Sequence, residues 1–434
     1  PYFFSLCLTS ANPPFHGAKK CSTSQRREVQ QLFSDYPNSG TLDYVAGWYM
    51  KAIQYMHGTQ IKAAFVSTTS IIQGEQVATL WKPLIKNHCL TILFGYRPFK
   101  WTNDAQNTAN VACVIIGFCA FDDHSVKTIF NNDEDETKIE VPMINPYLDG
   151  LPVMVFVRRR GTPLSDVPIM GCGNKPIDDG NYLFTIEEMQ QFIQDEPLSA
   201  RWFRKWYGSR EFINKKPRFC LWLRNCPPDE LRRMPLAMQR VEAVRQFRMK
   251  SSDQQTRNLA NTPRKFHIEN MPTSRYLVIT QVSSEHREYI PMGFMNPDVM
   301  CSNLVDILPG ATLYHFGILT SSMHMIWMRA VCGRLEERYR YSIEVVYNNF
   351  PWPTVSPAQK ERIEALASDV IAARDRFPTT SYADLYNPST MPNDLSIAHR
   401  RLDNAVKALY GLRADATDEE CILALYRRYS ELDE

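Results

Sequence analysis

The sequence predicts an α/β protein built in three successive parts. Three observations carry this expectation. Within residues 1–165, short apolar runs alternate with amphipathic helical patterns, as in an open α/β sheet. Residues 166–353 mix short apolar strands and helices in α+β fashion. From Ser356 onward, apolar residues recur at helical spacing. A chain of 434 residues suffices for two or three domains.

The elements follow in order. Asn12-Pro13-Pro14-Phe15 comes early and breaks regular structure, because proline fixes φ and cannot feed a sheet ladder. Pro37-Asn38-Ser39-Gly40 is a turn signal, and Thr41 after it can cap a helix over residues 42–56. Residues 63–67 read as a buried strand. Thr68-Thr69-Ser70 at its end can line a cleft, since ligands gather beyond the carboxyl ends of strands in such sheets. Residues 74–81 suit a short helix that stops before Pro83. Residues 90–96 and 111–118 read as strands, joined by a long connection carrying Pro98, Phe99 and Trp101. The acidic run Asn131-Asn-Asp-Glu-Asp-Glu136 suits a solvated hairpin tip with no metal role. Residues 141–180, rich in Pro and Gly, read as a linker.

Beyond the linker, residues 186–206 look helical with a break at Pro197, and residues 219–223 and 275–281 look like strands. In the tail, Ile363, Ala367, Val370 and Ile371 form one stripe, and residues 402–409 and 421–429 form further helices. Arg400, Asp403 and Lys407 are expected on exposed faces of a bundle that buttresses the middle part.

Composition bounds the function. The chain is 44% hydrophobic and 22% charged, ordinary for a globular protein. It lacks a run of eighteen apolar residues, so no membrane span is expected. Eleven cysteines show neither a Cys-x-x-Cys pair nor a zinc spacing, which points to reduced thiols in a cytoplasmic protein and to no metal site. Net charge is only +2, so attraction to nucleic acid has to come from local patches. Residues 201–250 provide one, with fourteen Lys or Arg against four Asp or Glu, a net of +10. Aromatics such as Trp202, Trp206 and Trp222 are interleaved with them. Such a segment suits a phosphate backbone, with Arg201, Arg204, Lys205 and Arg210 as candidate contacts. It can equally be a helical surface of solvated charges over an aromatic core.

The Asn12–Phe15 stretch carries the chemistry. An amide beside a free carbonyl can accept both hydrogens of an exocyclic amino group, and the ring of Phe15 can stack on a base. A pocket for a flipped-out adenine or cytosine needs both. A strand-ending turn with a buried Phe uses the same four residues.

Asn-Pro-Pro-Phe resembles the catalytic motif of amino-group DNA methyltransferases. Lys62-Ala-Ala-Phe-Val-Ser-Thr-Thr-Ser70, Gly95-Tyr-Arg-Pro-Phe-Lys-Trp101, Ala109-Asn-Val-Ala-Cys-Val-Ile-Ile-Gly117 and Tyr341-Ser-Ile-Glu-Val-Val-Tyr-Asn-Asn-Phe-Pro-Trp-Pro353 are similar to stretches of the MmeI-like type II restriction–modification enzymes. The resemblance runs over nearly the whole chain. It implies a partial Rossmann-like methyltransferase sheet over 1–165, a target-recognition domain over 166–353 and a helical C-terminal domain over 354–434.

The same resemblance implies site-specific methyl transfer from S-adenosylmethionine to the N6 amine of an adenine flipped from double-stranded DNA. Adenine rather than cytosine rests on the resemblance alone. Asn12, Pro13, Pro14 and Phe15 are then catalytic and Phe99 is a second stacking ring, while Glu336 and Arg338, two residues apart, either read one base pair in the target or form a surface ion pair. Only eleven residues precede Asn12, too few for the Gly-rich loop and ribose carboxylate of the cofactor site. Gly171-Cys172-Gly173-Asn174 does not replace that loop, since no apolar strand leads into it and Pro176 follows. The expectation is an incomplete cofactor site, with the N-terminal half missing or supplied by another chain. The alternatives are a DNA-binding specificity fragment without activity, or a methyltransferase acting on RNA or protein. The large segment after residue 165 argues against the last.

Overall fold

A computed structural model describes residues 8–101, 111–132 and 137–433. The described chain divides into two compact units. One takes the residues up to Ser165 together with Ile326–Pro353 and the stretch from Tyr410 onward, and the other takes Asp166–Met325 and Thr354–Leu409.

The first unit is built on a six-stranded mixed sheet of order β1-β2-β4-β3-β5-β6. Its strands are β1 (Leu8–Ala11), β2 (Lys62–Thr68), β3 (Thr91–Trp101), β4 (Val111–Cys119), β5 (Lys127–Phe130) and β6 (Lys138–Val141). β1, β2, β3 and β5 run in one direction, and β4 and β6 run against them. Residues 63–67 form the expected strand, with one face fully buried: Ala63, Phe65 and Ser67 are buried while their neighbours are partly open. The buried side faces helices α1 (Thr23–Leu32), α2 (Val45–Met56) and α3 (Gln76–His88). Tyr49 of α2 sits at the centre, packed on Phe65, Trp81 and Phe118, with its hydroxyl 2.9 Å from the Ser67 hydroxyl. The opposite side carries Tyr96 and Phe130, stacked with ring centroids 4.3 Å apart. Gly117 is required there, because a Cβ would lie 2.0 Å from the ring of Phe94.

Several local expectations change. α3 does not stop before Pro83 but runs through it to His88. Pro83 and its neighbours Leu80, Trp81 and Leu84 are buried, and the Trp81 indole donates to the Ile71 carbonyl at 2.7 Å, so packing outweighs the lost backbone bond. α2 starts at Val45, because Thr41 spends its hydroxyl on the Asn38 carbonyl and caps nothing. β3 extends through a bulge to Trp101, so Pro98 and Phe99 lie on a strand and not in a connection. The acidic run links the antiparallel strands β5 and β6, as a hairpin requires; its residues 133–136 lie outside the described residues. The expected linker is irregular but packed, with Ile144, Leu148, Val155 and Val157 buried. Asn348 and Asn349 fasten it. The Asn349 amide donates to the Arg158 carbonyl and the Asn348 amide to the Arg160 carbonyl, both at 2.8 Å.

The second unit holds two four-stranded sheets and three long helices, Pro235–Met249, Pro357–Asp375 and Asn393–Leu409. One sheet is built around strands Phe203–Tyr207 and Arg218–Leu221, the other around Tyr276–Thr280 and Val305–Pro309. Residues 203–207, expected to be helical, form a strand because their aromatic rings pack into a sheet core. The helices Pro357–Asp375 and Asn393–Leu409 match the tail's apolar stripes, and a Ser356–Gln359 capping box starts the first. Asp403 is a correction. It is buried, where it accepts from the Tyr289 hydroxyl at 2.6 Å and the Ser322 amide at 2.7 Å. Among the described residues, no helix is long and apolar enough to cross a membrane.

Candidate functional site

The carboxyl ends of β1, β2, β3 and β5 fall on one edge of the sheet, where open α/β sheets bind their ligands. Asn12 follows β1 directly. Its side chain is exposed, Pro13 is buried, Pro14 is exposed and Phe15 is half-buried. Among the described residues, no hydrogen bond engages the Asn12 amide or the Pro13 carbonyl. The Pro14 carbonyl accepts from the His16 amide at 3.1 Å, which turns the chain sharply after the tetrapeptide. This leaves two acceptors at the carboxyl end of an edge strand, the arrangement an exocyclic amine needs.

Asp43 holds this turn, and nothing in the residue pattern singled it out. One carboxylate oxygen accepts from the Ala18 amide at 2.7 Å and the other from the Ser70 hydroxyl at 2.5 Å. The Ser70 hydroxyl is also 2.7 Å from that of Thr68, and the Asp43 amide donates to the Gln76 side chain at 3.0 Å. One side chain therefore ties the segment after the tetrapeptide to the segment that ends β2. Thr68 and Ser70, expected to line the cleft, sit at its edge but spend hydroxyls on this network.

Phe99 is also brought to this edge. It lies opposite Cys113, which lies opposite Thr68, so the three form one row across β3, β4 and β2. Burial pushes the Cys113 thiol up to about 11, which keeps it neutral and unreactive. β3 is three strand spacings from β1, or about 14 Å. Phe99 and Phe15 thus share an edge without sharing a strand pair.

Glu336 and Arg338 lie at the tip of a β-hairpin, strands Gly333–Leu335 and Arg338–Arg340. Both are exposed, and Arg338 Nη2 lies 2.8 Å from Glu336 Oε2. In this free state the pair is a surface ion pair. Glu336 has φ +58°, a backbone region that disfavours side chains other than glycine. Although it belongs by sequence to the expected recognition domain, the hairpin sits in the same compact unit as the six-stranded sheet. Lys100 of β3 pairs with Glu337 at 2.8 Å, and the Gly74 amide donates to the Val331 carbonyl at 3.1 Å. The hairpin is therefore anchored beside the carboxyl ends of β2 and β3. Residue pattern alone held no signal for this placement.

The basic segment is mixed. Arg201 is ion-paired with Glu230, which also accepts from the Trp202 indole at 2.9 Å. Arg204 is half-buried and donates to the carbonyls of Arg201 and Phe203. Lys205 and Arg210 are exposed. Trp206 is buried, and Trp202, Phe203, Phe219 and Trp222 pack against the same core, so the aromatics are structural. Arg248 is wholly buried, donating to the carbonyls of Pro176, Ile177, Leu259, Thr262 and Lys265.

With this geometry in hand, known proteins provide the frame. The profile of the MmeI DNA-methyltransferase domain matches residues 7–131, that of the MmeI target recognition domain residues 153–354, and that of the MmeI C-terminal domain residues 355–434. The chain belongs to the MmeI family. DNA methyltransferase A of Bacillus subtilis (strain 168) is 41% identical over 424 residues, which cover 98% of this chain and 47% of that relative. The type IIL restriction–modification enzyme MmeI, solved in complex with DNA, superimposes with a TM-score of 0.93 at 43% identity, over 98% of this chain and 57% of that one. The chain thus spans about half the length of the MmeI-family proteins it matches.

The described residues fit a methyl-donor cofactor in part. They place the Asn12 amide and the Pro13 carbonyl at the sheet edge. Among them, no Gly-rich loop lies at that edge to cradle S-adenosylmethionine.

Proposed function

We infer that the protein is a site-specific DNA adenine N6-methyltransferase of a restriction–modification system, working on double-stranded DNA in the cytoplasm. The observation that carries this reading is the Asn12–Phe15 turn at the carboxyl end of β1, a strand parallel to β2, with the Asn12 amide exposed. Membership of the MmeI family supports it. When bound, S-adenosylmethionine supplies a methyl group on a sulfonium, already activated for transfer.

The chain's own residues do the positioning. The Asn12 amide oxygen and the Pro13 carbonyl bind the two amine hydrogens. They favour a pyramidal nitrogen, whose lone pair is then free of the ring. Their hydrogen bonds strengthen as positive charge grows on that nitrogen, so they act mostly in the transition state. Phe15 stacks on the extruded base and offsets part of the stacking lost, about 1–3 kcal/mol. Phe99 offers a second ring from β3. Glu336 and Arg338 exchange their mutual ion pair for a cytosine amine and the guanine paired with it. Arg201, Arg204, Lys205 and Arg210 are proposed backbone contacts, Lys205 and Arg210 being the more exposed. Residues 1–165, 166–353 and 354–434 are the proposed catalytic, recognition and C-terminal segments.

The second reading is a DNA-binding specificity fragment without activity until a cofactor-binding half is supplied. Asn12→Ala in the full-length protein tests the first. Methyl transfer should fall by at least a hundredfold while affinity for the target duplex stays within twofold. Transfer near the parent rate removes Asn12 from the chemistry.

A further inference from the structure

A cavity of about 420 Å³ opens on the outer side of α3, within the size range of small-ligand sites. Its lining includes Lys82, Lys86, Arg158 and Arg159, with Glu75 as the one acid. Glu75 is 3.8 Å from Arg159, which is also paired with Glu344, so that guanidinium is compensated. Arg158 shares the Asp433 carboxylate with Arg160 and keeps about half of its surface open. Lys82 and Lys86 are different. They lie one helical turn apart, both exposed, and neither has an ion-pair partner among the described residues. Like charges at that spacing repel, and a bound anion would relieve the repulsion. The lining also includes Tyr36, Pro37 and Pro83, of which Pro83 is buried and Tyr36 half-buried. The Tyr36 hydroxyl is held in place at 3.2 Å by the Asn87 amide.

We propose that this cavity binds a nucleotide unit, its phosphate between Lys82, Lys86 and Arg158 and its ring against Tyr36. Phosphate bound by point-charge lysines beside an aromatic face is the chemistry of nucleotide and single-strand sites. The unit can come from a free nucleotide or from a DNA strand. None of residues 12–16 lines the cavity, and the proposal does not depend on methyl transfer.

The test compares the full-length protein with its Lys82→Glu/Lys86→Glu and Lys82→Arg/Lys86→Arg variants. One arm measures binding of a fluorescent ATP analogue and its displacement by pyrophosphate. The other measures duplex affinity against salt concentration. Charge reversal should weaken one of them at least tenfold, and the arginine variant should restore it within threefold. A loss confined to the ATP analogue identifies a free nucleotide as the source. A loss confined to DNA, with a salt slope smaller by about two, identifies the strand backbone. If neither arm moves, or if arginine fails to restore the loss, the cavity is not a phosphate site.

Discussion

Asp43→Ala should both loosen the fold and slow the chemistry. The carboxylate accepts from the Ala18 amide at 2.7 Å and the Ser70 hydroxyl at 2.5 Å, and Asp43 is 8% exposed. A hydrogen bond to a charged group contributes about 1.5–3 kcal/mol. Both donors are half-open, so water recovers part of the loss and about 2–4 kcal/mol remains. The second consequence is positional. Without Asp43, the segment after Phe15 loses its link to the end of β2, and a displacement of about 1 Å can cost a hundredfold in rate. Asp43→Asn keeps one acceptor and should lose about half as much of each. Urea denaturation and single-turnover methyl transfer on the full-length protein read the two effects separately. A stability change under about 0.5 kcal/mol with a parental transfer rate would refute the reasoning.

Three further outcomes are expected. Phe15→Ala should slow transfer, and adding Phe99→Ala should slow it further; a double variant no worse than the single one removes Phe99 from the pocket. The paired exchange Glu336→Lys with Arg338→Asp should change the preferred base pair at one position of the target and cost about 1–3 kcal/mol on the original site; an unchanged methylation site, read by methylome sequencing, makes the pair structural. Asp306 is buried and, among the described residues, accepts only from the Gln281 amide, so desolvation pushes its carboxyl up to about 7 from 3.8. A raised carboxyl favours folding while it stays protonated, so its contribution is full below about pH 4 and is lost as pH rises to about 7, by up to about 4 kcal/mol. Asp306→Asn should flatten that part of the stability profile, and an unaltered profile would show that Asp306 is not the group responsible.

The fold was legible where packing and local pattern agree. The apolar run at residues 63–67 forms a strand and the stripe through Ile363, Ala367 and Val370 a helix, as expected, and each buries one face. Pattern failed where distant contacts decide. Pro83 reads as a helix stop, yet a buried indole and the core hold α3 through it. Asp403 reads as a solvated face because its two donors are 114 and 81 residues away. At the site, the tetrapeptide was legible because its proline pair is locally unusual. Asp43 was not, since an isolated carboxylate has no signature until its partners fold around it. The anchoring of the 333–340 hairpin beside β2 and β3 rests on the same kind of long-range contact.

The central claim is that the acceptors at Asn12 and Pro13 serve an adenine amine. The direct measurement is nucleoside mass spectrometry of target DNA after reaction with the full-length protein and isotopically labelled methyl donor. The account predicts label in N6-methyladenine, at one defined site, and its loss with Asn12→Ala. Label in N4-methylcytosine, or N6-methyladenine that persists in the Asn12→Ala variant, would contradict it.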